Sequence, residues 1–434
     1  MSRTLDAAFA RGCCDLEALE TAVRCIALGK AAQGLGGFMT AVGMARPETP
    51  ATCPKCRERM RSTGAKGKRI LTLLGPAAYT RLRYRCPKCG AVRYPADEML
   101  DIRETSRSPG VRRQTARLGA KEPFHEVAED LRELAGLSLS RKDAERISEE
   151  VGADIERWDS QERNRARSQQ PAPECTPKTI DTLYLEMDGT GVPMVPWEVE
   201  GRKGKQPDGS AKTREAKLGC VFTQSAFDEE GRPVRDPGST TFTGAIEEAA
   251  AFGRRIYAEA VRRGLFEAQR VVVLADGAEW IKNLVDTHFP MAIRIIDLYH
   301  AKEHVASLSR ALFYNADAVA RHRERWWEHL AQGDIEAILD EVQALLPACG
   351  PDKDVRREME YLRKNKEQMR YRRFRKQGCF IGSGVIEAGC KHVIGKRLKQ
   401  SGMEWTVRGA NDIIALRCAA QSRRLVDYWD QRAA

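Results

Sequence analysis

Four cysteines are spaced for metal chemistry. Cys53-Pro54-Lys55-Cys56 and Cys86-Pro87-Lys88-Cys89-Gly90 are two Cys-x-x-Cys turns, and two such turns can point four thiolates at one Zn²⁺. Between them, Arg69–Leu73 and Tyr79–Tyr84 read as strands. The 29 intervening residues exceed the usual spacing of about 15–20, and a hairpin accounts for the excess. The expectation is a zinc ribbon with one structural Zn²⁺ held by Cys53, Cys56, Cys86 and Cys89. The ion's first task there is folding, because so short a segment has little core of its own. Free thiols or a redox pair are the other reading of the same residues.

A second set is carboxylic. In Leu183-Tyr184-Leu185-Glu186-Met187-Asp188-Gly189-Thr190-Gly191, alternation puts Leu183, Leu185 and Met187 on one strand face and Tyr184, Glu186 and Asp188 on the other. The glycines then read as a tight turn into a second strand, Val192–Val199. A polar, Gly-rich loop, Gly201–Lys212, and a third strand, Arg214–Gln224, follow. A helix is expected over Ala245–Arg263. Val271–Ala275 is an apolar run suited to a strand buried on both faces, and it delivers Asp276 to a sheet edge, where open α/β sheets hold their sites. The strand Ala292–Ile296 delivers Asp297, and the next helix carries His300 and His304. Ser383 is a plausible N-cap for a later helix, with Glu387 about one turn in and Lys391 four residues further on the same face.

The order β-β-β-α-β-α-β-α is that of the ribonuclease H fold. That fold gathers acids from separate strands and a late helix around two divalent metals for in-line phosphoryl transfer. Carboxylate oxygens suit two Mg²⁺ or Mn²⁺ ions. Each acid has another reading. Glu186 shares the face of Asp188 and is its rival as a ligand, Asp276 could be a helix N-cap, and Glu387 could be a first-turn Glu favoured by the helix dipole. His300 and His304 are spaced to bind Zn²⁺, but Glu303 is out of register for the zinc-protease pattern, which leaves an orienting or core role.

Residues 105–155 read as a helix-turn-helix. Helices are expected from Pro109 to about Leu118 and from Phe124 to about Ala135, with Gly136 as C-cap. Ser138 or Ser140 would cap a third helix that exposes Arg141, Lys142 and Arg146. A plain helical hairpin is the other reading. Charge is concentrated rather than spread. Of a net +11, residues 51–100 carry +9 and residues 351–400 another +9, which suggests a polyanion held at two places. Arg57, Arg59, Arg61, Lys66, Lys68, Arg69, Arg81, Arg83 and Arg85 are the candidates in the first block, and Arg397 and Lys399 in the second. The run Arg370–Lys376 reads as a phosphate track or as a solvated helix face, and Trp405 as a base-stacking or a core residue.

In sequence order, these pieces carry a resemblance. The paired Cys-Pro-x-Cys knuckles, Glu-Met-Asp-Gly-Thr-Gly, Leu-Ala-Asp-Gly-Ala-Glu-Trp, Asp-Leu-Tyr-His, and Gly-Ser-Gly-Val-Ile-Glu with Ser-Gly-Met-x-Trp resemble ISKra-type bacterial insertion-sequence transposases. A more distant similarity is to Mutator-like transposases. The resemblance implies a catalytic acidic triad of Asp188, Asp276 and Glu387. It makes Asp297 and His300 an Asp-x-x-His element that shapes the site or contacts DNA, and Ala301–Gln377 a helical insertion before the last acid. It also implies end binding, strand cleavage and strand transfer on double-stranded DNA, by a homo-oligomer. A nuclease that only hydrolyses, and a zinc-dependent DNA-binding regulator with an inactive catalytic domain, are the competing readings.

The expected organisation is an α/β protein. A helical segment, 1–48, precedes the zinc ribbon, 49–100, the helix-turn-helix-like domain, 101–155, and a linker, 156–178, rich in Pro171, Pro173 and Pro177. A ribonuclease H-like catalytic core follows over 179–313, interrupted by a helical insertion, 314–378, and closed by C-terminal helices, 379–434. In the lead-in, Gly34-Leu35-Gly36-Gly37 is expected to interrupt the helix. With 42% hydrophobic residues the chain can bury real cores. The sequence has no run of 18 apolar residues and no basic-then-apolar leader, so no membrane partner is expected. The expected setting is the bacterial cytoplasm, at the nucleoid.

Overall fold

The structure, a computed structural model, describes residues 15–46, 51–168, 178–204, 206–349 and 352–433. It divides into two compact units, Met1–Ser148 and Glu149–Ala434. The proline-rich stretch 171–177 lies outside the described residues.

The first unit opens with α1, Leu16–Met44, capped by the Asp15 carboxylate on the Ala18 N–H. Contrary to the sequence expectation, the helix runs through Gly34–Gly37 without a break. A side chain at Gly36 or Gly43 would run into the backbone carbonyls of Ala78 or Thr80. These glycines are contact points, and helix propensity yields to packing there. Strands β1, Arg61–Thr72, and β2, Gly75–Arg85, form an antiparallel hairpin, and β3, Val92–Arg93, completes a three-stranded sheet. A short helix α2, Pro95–Met99, follows. Met39, Ile70, Ala77, Tyr79 and Ile102 close the core between α1 and the hairpin. The expected three helices then appear as α3, Pro109–Gly119, α4, Phe124–Ala135, and the start of α5, Arg141–Ser168, whose residues from Glu149 on belong to the second unit. Gly136 ends α4 in the left-handed region, at φ 66°, and Ser140 accepts the Asp143 N–H at 3.0 Å at the start of α5. The helix α5 continues to Ser168, so the charged stretch after Glu156 is helical.

The second unit is built on a mixed five-stranded sheet. Its strands are β4, Ile180–Pro193, β5, Thr213–Gln224, β8, Thr241–Ala245, β9, Ala268–Ala275, and β10, Ile293–Ile296. Between β4 and β5 lies α6, Pro196–Val199, and between β5 and β8 a small hairpin, β6, Ala226–Phe227, and β7, Pro233–Val234. The sheet order is β10-β9-β4-β5-β8, with β10, β9 and β4 parallel and β5 and β8 antiparallel.

One expectation fails here. The Gly189/Gly191 stretch is not a turn. Strand β4 runs through it and pairs with β5 as far as Pro193↔Thr213, and 192–199 is no second strand. The glycines make room across the pair, since a side chain at Gly189 would strike Glu215 and one at Gly191 Thr213. The third antiparallel strand is β8 instead.

Helices cover both sheet faces. On one, α7, Ala249–Arg262, and α8, Glu279–His288, bury Phe252, Ile256, Ile281 and Leu284 against Leu183, Leu185, Met187 and Val273. On the other, Tyr184 stacks on Phe222 at 5.0 Å and meets Phe380 edge-on at 5.2 Å. The face assignment read from β4 is therefore the observed one. After β10 come α9, Leu298–Leu312, α10, Ala316–Gln332, α11, Ile335–Cys349, α12, Lys353–Asn365, and α13, Tyr371–Lys376. The chain returns to the sheet with α14, Gly384–Gly389, a π-helical turn, Cys390–Gly395, and α15, Lys396–Leu398. It closes with α16, Val407–Gln421, and α17, Leu425–Ala433.

Candidate functional site

In the first unit the four cysteine sulfurs lie within 4.8 Å of one another. Cys53 Sγ is 3.4 Å from Cys89 Sγ, and Cys56 Sγ 3.5 Å from Cys86 Sγ. Each Cys-Pro-Lys-Cys turn closes the same way: Arg57 N–H donates to the Cys53 carbonyl at 2.9 Å, and Gly90 N–H to the Cys86 carbonyl at 3.0 Å. A backbone hydrogen bond from Cys56 pulls the Cys53 thiol down to about 6, and one from Cys89 lowers Cys86. Burial and the neighbouring sulfurs raise Cys56 and Cys89 instead; four converging sulfurs suit a Zn²⁺-like ion.

Two of the basic residues expected to face a polyanion do not. Lys68 and Arg81 both reach the buried carboxylate of Asp97, at 2.9 and 2.8 Å, where the Tyr79 hydroxyl donates as well. Asp97 carries no motif, which is why this cluster escapes a sequence reading. On α5, Arg141, Lys142 and Arg146 are exposed as expected, and Lys142 and Arg146 pair with Glu145 and Asp143 of their own helix.

In the second unit, Asp276 and Asp297 follow the carboxyl ends of β9 and β10, and Asp188 sits within β4, beside them in the sheet. Asp188 lies two residues beyond the last β4–β9 pair, Glu186↔Leu274. Asp276 follows β9 directly and accepts the Ala278 N–H at 2.9 Å. Asp297 follows β10. One pocket is lined by Asp188, Asp276, Asp297, His300, Glu303 and Glu387, together with Met187, Tyr299, Ser383 and Ile386. It gathers the three triad candidates from far-apart stretches of chain. No lysine or arginine lines it. Burial raises the Asp188 carboxyl above its usual range, and the charges of Asp276 and Glu215 add to the rise. Carboxylate oxygens are the donors that Mg²⁺ or Mn²⁺ takes, but among the described residues the four cysteines are the group whose ligand atoms lie close enough together to hold an ion.

The supporting residues separate by role. Asp297 spends both oxygens on backbone, accepting His300 N–H at 2.7 Å and Ser383 N–H at 2.6 Å. It ties α9 to the start of α14 and is a positioning residue. Glu186, the rival of Asp188, is fully buried and outside the pocket lining. It accepts the Ile386 N–H at 2.8 Å, and burial pushes its carboxyl up to about 8, helped by the charges of Asp297 and Glu387. Glu186 and Asp297 thus clamp the segment that carries Glu387 from two sides. Lys391 is exposed and does not line the pocket. Lys399 hydrogen-bonds Thr190, just beyond Asp188. Arg397 is a correction: its side chain is wholly buried, with its guanidinium 5.1 Å from the Trp405 ring centre, so it cannot meet a DNA phosphate. Trp405 is a core residue, donating to the Leu398 carbonyl at 3.0 Å.

Two functional neighbours carry no sequence signal. Glu358 and Tyr361, on α12, reach the histidines: Glu358 Oε2 is 2.5 Å from His304 Nδ1, and the Tyr361 ring stacks on His304 at 3.6 Å. Tyr361 also donates to the Asp276 carbonyl at 3.0 Å. Only their i, i+3 spacing on one helix face hints that they act together.

The second unit is therefore of a definable class, a mixed-sheet α/β unit with helices on both faces and an acidic pocket at the ends of its parallel strands. Comparison with known proteins gives a narrower likeness. A family model described as "Uncharacterised protein family (UPF0236)" matches residues 263–430, a span that holds Asp276, Asp297, His300 and Glu387 but not Asp188. A UPF0236 protein of Caldanaerobacter subterraneus subsp. tengcongensis is 21% identical over 360 residues, covering 81% of this chain and 67% of the relative. Its name carries eleven locus designations. Among the described residues, no helix is long and apolar enough to cross a membrane.

Proposed function

We propose that this chain is the transposase of a bacterial insertion sequence. In this reading its second unit is a ribonuclease H-like catalytic core, and the four-cysteine hairpin is a zinc ribbon. The ribbon and the α3–α5 helices recognise the ends of the element. Asp188, Asp276 and Glu387 hold two Mg²⁺ or Mn²⁺ ions, which activate the attacking oxygen and stabilise the leaving one.

The observation that carries the reading is the pocket, which acids from β4, from the β9 edge and from α14 line together with no lysine or arginine. The sheet order β10-β9-β4-β5-β8 supports it, because the expected fold places three antiparallel strands before two parallel ones. The relative supports it from another side. One protein name spanning eleven loci of a single organism is what a self-copying element leaves behind.

The test is Mg²⁺-dependent nicking of supercoiled plasmid, followed by a joined-product assay on a donor fragment. Asp188→Asn should abolish both and leave DNA binding nearly intact. A D188N protein that still cleaves refutes the assignment. Nicking without joined product reduces the function to hydrolysis, and binding without nicking to a DNA-binding regulator.

A further inference from the structure

The acidic pocket has one nitrogen base in its lining, His300, and the chain does not leave that ring to chance. His300 Nε2 is 3.2 Å from His304 Nε2, and His304 Nδ1 is 2.5 Å from Glu358 Oε2. The Glu358 carboxyl is buried, yet hydrogen bonds from His304 and Arg357 hold it below its usual range, so it is ionised and can only accept. The Tyr361 ring stacks flat on His304, 16° from parallel, which fixes the plane of the second imidazole. Glu358 and Tyr361 both come from α12, inside the helical insertion.

Proton bookkeeping along this line has one outcome for neutral rings. His304 Nδ1–H donates to Glu358, so His304 Nε2 carries a lone pair. His300 Nε2–H donates to that lone pair. The other nitrogen of His300, Nδ1, is then an acceptor. Glu303 Oε2, in the same pocket, stands 3.7 Å from it, beyond hydrogen-bond distance, so that carboxylate does not engage Nδ1. A carboxylate bonded to one ring nitrogen fixes the tautomer of that imidazole, and here the fixed ring is in turn the acceptor for His300.

We propose that His300 Nδ1 is the proton acceptor of the acidic pocket, and that the insertion exists in part to hold it in that state through Glu358 and His304. The chemistry rests on the phosphoryl-transfer reading above; the tautomer does not. In the cleavage step the oxygen of a water molecule bonds to phosphorus and its proton passes to His300 Nδ1. The bond from phosphorus to the 3′ oxygen breaks, the electron pair stays on that oxygen, and a second water protonates it. In strand transfer, the 3′-hydroxyl takes the place of the attacking water. His300 is the catalytic residue of this proposal, and His304 and Glu358 are positioning residues.

The test begins without any assay. The chain has seven histidines, so selective ¹⁵N-histidine labelling of the full chain gives a readable spectrum of ring nitrogens. At pH 8 the expected result is an Nε2–H tautomer for His300 and an Nδ1–H tautomer for His304. In His304→Phe, which keeps an aromatic ring on Tyr361, the His300 signals should move to the position of exchanging tautomers. An Nδ1–H tautomer of His300 in the wild-type chain, or unmoved His300 signals in H304F, overturns the proposal. The wild-type spectrum decides alone where the variant does not fold. In the nicking assay, His300→Gln should lose about a hundredfold or more in kcat with little change in KM, since a positioned proton acceptor contributes roughly 10²–10⁴-fold. H300Q at the wild-type rate also overturns it. A wild-type chain that never nicks instead defeats the phosphoryl-transfer reading, and the tautomers remain as measured.

Discussion

Arg57 sits in the left-handed region, at φ 59°, at the position of the first cysteine turn where the second turn has Gly90, at φ 73°. A residue with a Cβ is disfavoured there by roughly 1–2 kcal/mol, and glycine is not. Arg57→Gly should therefore raise the thermal midpoint of the zinc-loaded protein, or leave it unchanged. Gly90→Ala should cost about 1–2 kcal/mol, read as a lower midpoint and easier loss of zinc to a chelator. In the zinc-ribbon reading, stripping the metal should lower hydrogen-exchange protection of the two cysteine turns, which have little core of their own, and spare the part of the hairpin packed on α1. A second residue, Asp412, sets a pH dependence. Burial pushes its carboxyl up to about 6, with Arg408 and Arg157 pulling the other way. An acid raised above its unfolded value of about 3.9 holds its proton more tightly in the fold, so stability falls as pH rises between about 4 and 6. Asp412→Asn should flatten that slope in denaturant titrations and leave the variant the more stable form above pH 6. At this scale the sequence was most readable where chemistry imposes spacing. The cysteines converge, and the three triad candidates line one pocket. Glu358, Tyr361 and Asp97 were invisible because their partners lie on other elements, as His304 and Glu358 do, and no local pattern records such a meeting.

Elements were legible when hydrophobic period and caps agreed, as in α4 with its Gly136 stop and in α5 with Ser140. Glycine misleads where it looks like punctuation. In α1 and β4 it answers a tertiary need for close approach, and a one-dimensional pattern cannot separate the two uses. The separation can be measured within one helix. A side chain at Gly37 would meet open space, and one at Gly43 would meet the Thr80 carbonyl and Arg81. Gly37→Ala should stabilise by about 0.5–1 kcal/mol through helix propensity. Gly43→Ala should destabilise by about 1–3 kcal/mol through overpacking. The same sign for both changes would mean that α1 does not rest on β2 in solution. The insertion was legible as helices and illegible as function. Its outer positive charge draws attention, while one acid and one tyrosine of α12, Glu358 and Tyr361, reach His304 behind the pocket.

At the scale of the whole chain, two blocks carry equal net charge, +9 each, and the structure makes them unequal. In residues 351–400 the arginines are largely answered by nearby acids: Arg363 by Glu360, Arg370 by Glu336 and Glu367, Arg373 by Glu367. In residues 51–100, Lys68, Arg81 and Arg93 take up Asp97 and Glu98, while Arg59, Arg61, Arg69 and Arg85 stay exposed along the hairpin. An arginine already paired releases little on meeting a phosphate, because it exchanges one anion for another. An exposed arginine without such a pair displaces condensed counterions from the nucleic acid, at about 0.9 per contact in the slope of log K against log salt. Replacing Arg59, Arg61, Arg69 and Arg85 together by Gln should thus flatten the salt dependence of binding to duplex DNA, by about 0.9 for each that touches a phosphate. Replacing Arg363, Arg370 and Arg373 by Gln should leave the slope nearly unchanged, although it removes almost as much charge. On the DNA-binding reading proposed above, equal slopes for the two variants would show that net charge, and not its pairing in the fold, governs the contact with phosphate.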